Sequence, residues 1–258
     1  MNEESARKVL FTMDEKFKFS CDKGLACFNR CCRDITIFLT PYDVLRMRKA
    51  AGLSSHEFLE KYTTSFLGDD GIPLVMLKMA EGDKGACPFV EDEGCSIYED
   101  RPWSCRMYPV FPMSAEEHEF LIEEIATCFG FQENRELTVR EWKAEQKIDA
   151  YDTMNKNYKE LTQHQFFQMG NKLDAGRAKL LYTACYDLDW FRRFVFESKF
   201  FEKYDVEEEL IEKMRNDDEA LLIFSYRWIR SNLFSEDTLR LRDRKMDELL
   251  HSKNKVSS

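Results

Sequence analysis

Eight cysteines lie in the first half of this 258-residue chain, at Cys21, Cys27, Cys31, Cys32, Cys87, Cys95, Cys105 and Cys128, and a ninth, Cys185, stands apart. The first four read C-x5-C-x3-C-C. The next three read C-x7-C-x9-C, and Cys128 follows after 22 more residues. In chain order this makes two groups of four, and four thiolates complete either a tetrahedral zinc site or a cubane iron–sulfur cluster. Metal binding is therefore the chemistry these residues offer.

Three other uses of the cysteines fit less well. Inert buried thiols would not need to cluster. A disulfide framework belongs to exported proteins, and the opening MNEESARKVLFTMDEKF lacks the apolar core of a signal peptide. Thiol redox catalysis of the thioredoxin kind uses a C-x-x-C pair, which the sequence does not contain.

The spacing bears on the metal. Zinc knuckles usually present a short C-x2-4-C hook, and here only Cys27-x3-Cys31 supplies one. Neighbours such as Cys31 and Cys32 point in different directions, so they suit different irons of a cluster, or two separate sites. We read an iron–sulfur cluster as the better fit and zinc as the alternative. Arg30 and Arg33 flank the adjacent pair, and Arg101 and Arg106 flank Cys105. Guanidinium groups offset thiolate charge and donate to sulfur, which makes Arg101 and Arg106 candidate cofactor-binding residues. Tyr98, Trp103 and Tyr108 lie among the cysteines and are expected to shield the metal from water.

The elements that must position these residues are partly legible. Residues 34–66 read as two helices. Thr40-Pro41 followed by Asp43 is a helix start, Gly52 a stop, and Ser54-Ser55 opens a second short helix through 56–62. Residues 72–79 and 119–127 read as strands, with a Cys/Pro/Gly-rich stretch between them. From 137 to 250 the pattern is helical throughout. The aromatics of 188–204 recur at spacings of three and four, as in a core helix. Residues 251–258 read as a frayed end.

Composition bounds the rest. With 43% hydrophobic and 14% aromatic residues the chain can bury a sizeable core, so disorder is not expected. The net charge of −10 disfavours nucleic acid as a partner. Residues 1–50 carry ten Lys and Arg against seven Asp and Glu, which leaves about −13 for the remainder. This balance also argues against reading residues 34–66 as a DNA-binding helix-turn-helix. No apolar run approaches the ~18 residues of a membrane span. A cytoplasmic location is expected, where thiols stay reduced.

At the cysteine segments the sequence resembles the YkgJ-type cysteine-cluster family, the CxxCxxCC zinc- or iron-chelating domain. The resemblance is carried by Cys21, Cys27-Phe-Asn-Arg-Cys31-Cys32, Ile37-Phe-Leu-Thr40, Cys87-Pro-Phe, Cys95-Ser-Ile-Tyr98-Glu, Arg101-Pro102-Trp-Ser-Cys105-Arg106-Met-Tyr108-Pro109 and Cys128-Phe-Gly130. It covers about residues 19–130. Five residues separate Cys21 from Cys27, where the family name implies two. The resemblance implies metal chelation. Through the related flagellin N-methylases it also implies an alternative, a metal-dependent enzyme that methylates lysine side chains of a protein substrate.

No other catalytic signature is present. There is no G-x-G-x-x-G, P-loop or G-x-S-x-G, and Cys27-x3-Cys31 matches only half of the radical S-adenosylmethionine pattern. The histidines, His56, His118, His164 and His251, lack metal-ligand spacing, and no catalytic residue can be named. The expected fold is α+β and mostly α: an irregular cysteine-rich metal-binding module with a few short strands, residues 1–135, packed on a helical region, residues 136–258.

Overall fold

The computed structural model of the chain describes residues 7–82, 85–114 and 118–242. The segment read as frayed, 251–258, lies outside them, as does His251. The chain is α+β and mostly α, with 48% of residues in helices and 17% in strands.

The strands are β1 (Arg7–Phe11), β2 (Lys16–Lys18), β3 (Phe38–Leu39), β4 (Thr63–Leu67), β5 (Pro73–Leu77), β6 (Val90–Glu91), β7 (Gly94–Cys95), β8 (Val110–Pro112), β9 (Phe120–Glu124) and β10 (Glu136–Thr138). They form small antiparallel sheets ordered β1-β9-β8 and β10-β2, a third ordered β3-β5-β4, and the β6-β7 hairpin. The helices are α1 (Pro41–Ala50), α2 (Ser55–Tyr62), α3 (Trp103–Met107), α4 (Val139–Glu145), α5 (Ile148–Thr162), α6 (Gln165–Gln168), α7 (Ala175–Cys185), α8 (Leu188–Glu197), α9 (Phe200–Lys203), α10 (Glu208–Asn216) and α11 (Asp218–Phe234).

The helix expected at Thr40-Pro41 is α1. Thr40 Oγ1 accepts from the Asp43 amide while Asp43 accepts from the Thr40 amide, a reciprocal cap that satisfies two otherwise orphaned donors. The second helix and the strands over 72–79 and 119–127 are α2, β5 and β9. Two expectations need correction. The run from 137 is not helical throughout: β10 pairs with β2 before α4 begins, and residues 235–242 leave the helix after Ser235 turns left-handed at φ 57°. The aromatic run 188–204 is two helices, because Ser198 is extended between α8 and α9.

Two compact units are distinguished. The first comprises Met1–Leu53, Phe58–Ser65 and Leu74–Lys156. Its core gathers Phe17, Phe19, Met107, Val110, Phe120, Ile122, Leu137 and Trp142, with Trp103, Tyr108 and Cys128 packed against it. The second comprises Ser54–Glu57, Phe66–Pro73 and Asn157–Ser258. In it the aromatic residues of 188–204 form core: Phe191 and Phe200 are buried and lie 5.5 and 6.3 Å from Trp228 of α11. Cys185 is fully buried in α7, where burial pushes its thiol up to about 12.

In the first unit α4 begins with a second reciprocal cap, Thr138 with Glu141. Thr138→Ala is expected to lower stability by about 1 kcal/mol, read as a lower urea midpoint at unchanged slope. No measurable shift would contradict the role of the cap.

Candidate metal centre

All eight clustered cysteines belong to the first unit, and backbone geometry brings them together from five segments. The segment after β2 is tied to the turn at 129–132: Phe19 N–H donates to Arg135 O at 3.0 Å, and Ser20 N–H to Gly130 O at 3.1 Å. A Cβ on Gly130 would stand 2.6 Å from Ser20 O, so only glycine permits this approach. Cys21 is thereby set beside the segment that carries Cys128. Phe129 N–H then donates to Cys27 Sγ at 3.2 Å, which adds the buried Cys27 to the same place.

Asn29 takes the left-handed conformation, φ 65°, and starts a 3-10 turn over Arg30–Cys32. Its side chain donates to Glu91 O in β6, while Phe28 lies 3.3 Å from where a Cβ on Gly94 would sit. The loop is thus held on the β6-β7 hairpin. Beyond the turn, Arg33 bridges Ala86 in antiparallel register and Cys87 N–H donates to Cys32 O at 2.8 Å. Cys32 and Cys87 are therefore opposite each other, and Cys95 closes the hairpin against Val90.

Cys105 sits in α3, whose first amide, Trp103 N–H, donates to Asp43 at 2.8 Å. Trp103 Nε1 donates to Asp152. The Trp103 ring thus packs on the core, whereas Tyr98 is 54% exposed and lies beneath the Arg101 guanidinium, 3.7 Å away. Tyr108 hydrogen-bonds Cys128 and is held well above its usual value, chiefly by burial.

The two candidate arginines are placed differently. Arg106 is buried, and its three guanidinium nitrogens donate to the carbonyls of Arg101, Gln146 and Glu99. Each of its three nitrogens is thus engaged by the backbone, and its charge favours the Cys95 thiolate. Arg101 bears on Cys31, Cys95 and Cys105, in each case favouring the thiolate. Its terminal nitrogen donates to Gln146, but its Nε is buried and has no hydrogen-bond partner among the described residues. The same holds for Ser104 Oγ, next to Cys105, which the sequence did not single out. The Arg101 Nε, on a guanidinium that bears on three of the thiols, is a buried donor that a sulfur-rich anionic centre would satisfy.

The thiols raise one another's cost of ionisation. Cys21 is pushed up to about 11, first by desolvation and then by Cys31, Cys128 and Cys27, although its edge reaches the surface. Cys105 is pushed up to about 12 by burial and by Cys87. Cys87 and Cys95 are raised by burial. Within the adjacent pair, the Cys32 thiol hydrogen-bonds Cys31 and holds it below its usual value, while Cys32 is raised. In metal-free protein these raised groups keep their protons when the unfolded chain, near 9.0, would release them. Stability present below that pH should therefore be lost as pH rises from there through the folded values of about 11 for Cys21 and about 12 for Cys105. Urea midpoints of chelator-treated protein should fall from about pH 9 upward to about pH 11; a flat profile would contradict the thiol environment described.

Among the described residues, no group of three or more His, Cys, Asp or Glu side chains is arranged to hold a metal ion. The thiols are neighbours without forming a closed shell. Each cysteine has a single side-chain torsion, so rotation about Cα–Cβ can re-aim a sulfur without moving the backbone. The donor set fits zinc or iron: it is all thiol and backed by cationic Arg101.

His56 and His164 lie elsewhere. His164 Nδ1 accepts from Phe166 N–H and its Nε2 pairs with Glu236 at 2.9 Å, while His56 stands 3.8 Å from Asp187. Both are structural contacts of the second unit. No helix of the described residues is long and apolar enough to cross a membrane.

Comparison with known proteins gives the class. The profile of the CxxCxxCC family, described as a "putative zinc- or iron-chelating domain", matches residues 20–161, more than half of the chain, and the chain belongs to that family. No curated protein and no solved structure matches it.

Proposed function

We propose that the first unit chelates metal through Cys21, Cys27, Cys31, Cys32, Cys87, Cys95, Cys105 and Cys128, and that the metal is iron in an iron–sulfur cluster. The observation that carries this is the gathering of eight thiols from separate segments into one unit, with the ninth buried away from them. The buried Arg101 Nε, without a hydrogen-bond partner among the described residues, would donate to the sulfur of such a centre, and the irregular spacing with an adjacent cysteine pair favours a cluster over zinc. Bound there, a cluster would supply electron transfer. Arg101 would offset its negative charge, and Trp103 and Tyr108 would limit water beside it.

Anaerobic purification of the full chain, followed by analysis for iron, zinc and acid-labile sulfide, tests the reading. Iron with matching sulfide supports it. Zinc without sulfide keeps chelation and rejects the cluster. Neither metal rejects chelation itself. Neither the fold nor the family match adds support for lysine methylation, and no reaction is assigned.

A further inference from the structure

We infer that the eight thiols form two adjoining four-thiolate sites that split the adjacent pair: Cys21, Cys27, Cys31 and Cys128 in one, Cys32, Cys87, Cys95 and Cys105 in the other. The inference rests on the chelation reading above and deepens it. It differs from the grouping in chain order, because Cys32 and Cys128 exchange places.

The first set is assembled by the contacts between residues 19–27 and 128–130. Ser20 N–H on Gly130 O puts Cys21 next to the Cys128 segment, and Phe129 N–H on Cys27 Sγ fixes the third sulfur. The second set is assembled on the other side of the 3-10 turn. There Cys32 opposes Cys87 across the Arg33–Ala86 bridge, and the β6-β7 hairpin returns Cys95 to the same end. A 3-10 helix has three residues per turn, so the Cα–Cβ bonds of Cys31 and Cys32 leave it about 120° apart; the two sulfurs still meet, and what separates the pair is the other thiols each one faces, Cys32 lying opposite Cys87.

The electrostatic neighbours sort the same way. Cys21 is influenced by Cys31, Cys128 and Cys27, and Tyr108 by Cys128, Cys31 and Cys21. Cys32 is influenced by Cys105 and Cys87 besides its neighbour Cys31, and Cys105 by Cys87 and Cys95. The hydrogen bond between Cys31 and Cys32 is where the two sites adjoin. Binding at either site replaces thiol protons by metal, so the protons leave to solvent.

Double cysteine variants of the full chain, purified anaerobically and analysed for metal per chain, distinguish the groupings. Cys31→Ser with Cys128→Ser removes two ligands of one site and should retain about half of the wild-type metal, as one intact four-thiolate site implies. Cys31→Ser with Cys32→Ser strikes both sites and should retain almost none. The reverse pattern would establish the chain-order grouping and overturn ours. Metal lost equally from both double variants would overturn two independent sites. Wild-type protein without metal would instead reject chelation altogether, a separate failure.

A measurement on the wild type guards against variants that misfold. Graded removal of the native metal with a chelator, alkylation by iodoacetamide and fragment-resolved mass spectrometry reports each thiol. Cys31 should change together with Cys128, and Cys32 with Cys87. Parallel exposure of Cys31 and Cys32 at every stage, apart from those partners, would overturn the assignment.

Discussion

Cys105→Ser is expected to lower the metal bound per chain by about half, as loss of one of four thiolates at one of two sites implies, and to destabilise the first unit. Cys31→Ser should do the same, whereas Cys185→Ser should leave the metal unchanged. The size of the effect follows from coupling. Structural metal in small thiolate domains contributes about 10–16 kcal/mol of binding free energy that is also folding free energy. The segments around Cys105 have limited support of their own: α3 is five residues long, and the β6-β7 hairpin has two residues in each strand. Cys185 is a different case, fully buried in α7 with Ser225 Oγ 4.0 Å from its sulfur. Serine there changes packing in the second unit and touches no other cysteine. Elemental analysis of the three variants, with thermal melts, provides the check. Equal metal content in all three would refute the ligand assignment.

Gly130→Ala is expected to destabilise the first unit by about 3 kcal/mol, at the upper end of ordinary overpacking, and to reduce metal content without removing any ligand. The added methyl would meet Ser20 O at 2.6 Å and the Phe19 ring at 2.8 Å. Phe19 is buried at the centre of the core, packed on Phe131 and Trp142, so its ring has no free direction in which to move. The carbonyl is backbone and can yield only by breaking the Ser20–Gly130 hydrogen bond. That bond sets Cys21 beside Cys128, so the same strain should loosen the first site. Urea denaturation and metal analysis on one preparation test both halves. Loss of stability with full metal would show that the Ser20–Gly130 contact does not position the thiols.

The sequence by itself determined the chemistry. Thiol is the only ligand type concentrated here, and eight of them in a chain able to bury an ordinary core are best explained by metal. It also determined local structure wherever a short-range signal suffices. Thr40, Pro41 and Asp43 specify the start of α1 within four residues, and alternating or continuous apolar runs mark β5 and β9. The resemblance in the cysteine segments pointed to the family to which the chain belongs.

What only the tertiary structure decided is which residues meet. β10 was invisible in the helical pattern because a three-residue strand exists only by virtue of its partner, β2. Arg101 and Arg106 looked equivalent beside Cys105. Yet Arg106 is committed to three carbonyls while Arg101 keeps a buried donor near the thiols, a distinction set by contacts as distant in sequence as Gln146. The grouping of the cysteines is the sharpest case. Chain order puts Cys31 with Cys32 and Cys128 with Cys105. In the grouping we infer, the strand bridge at Arg33–Ala86 sets Cys32 with Cys87 and the close approach at Gly130 sets Cys128 with Cys21. Spacing along a chain records only covalent separation, and a metal responds to distances through space.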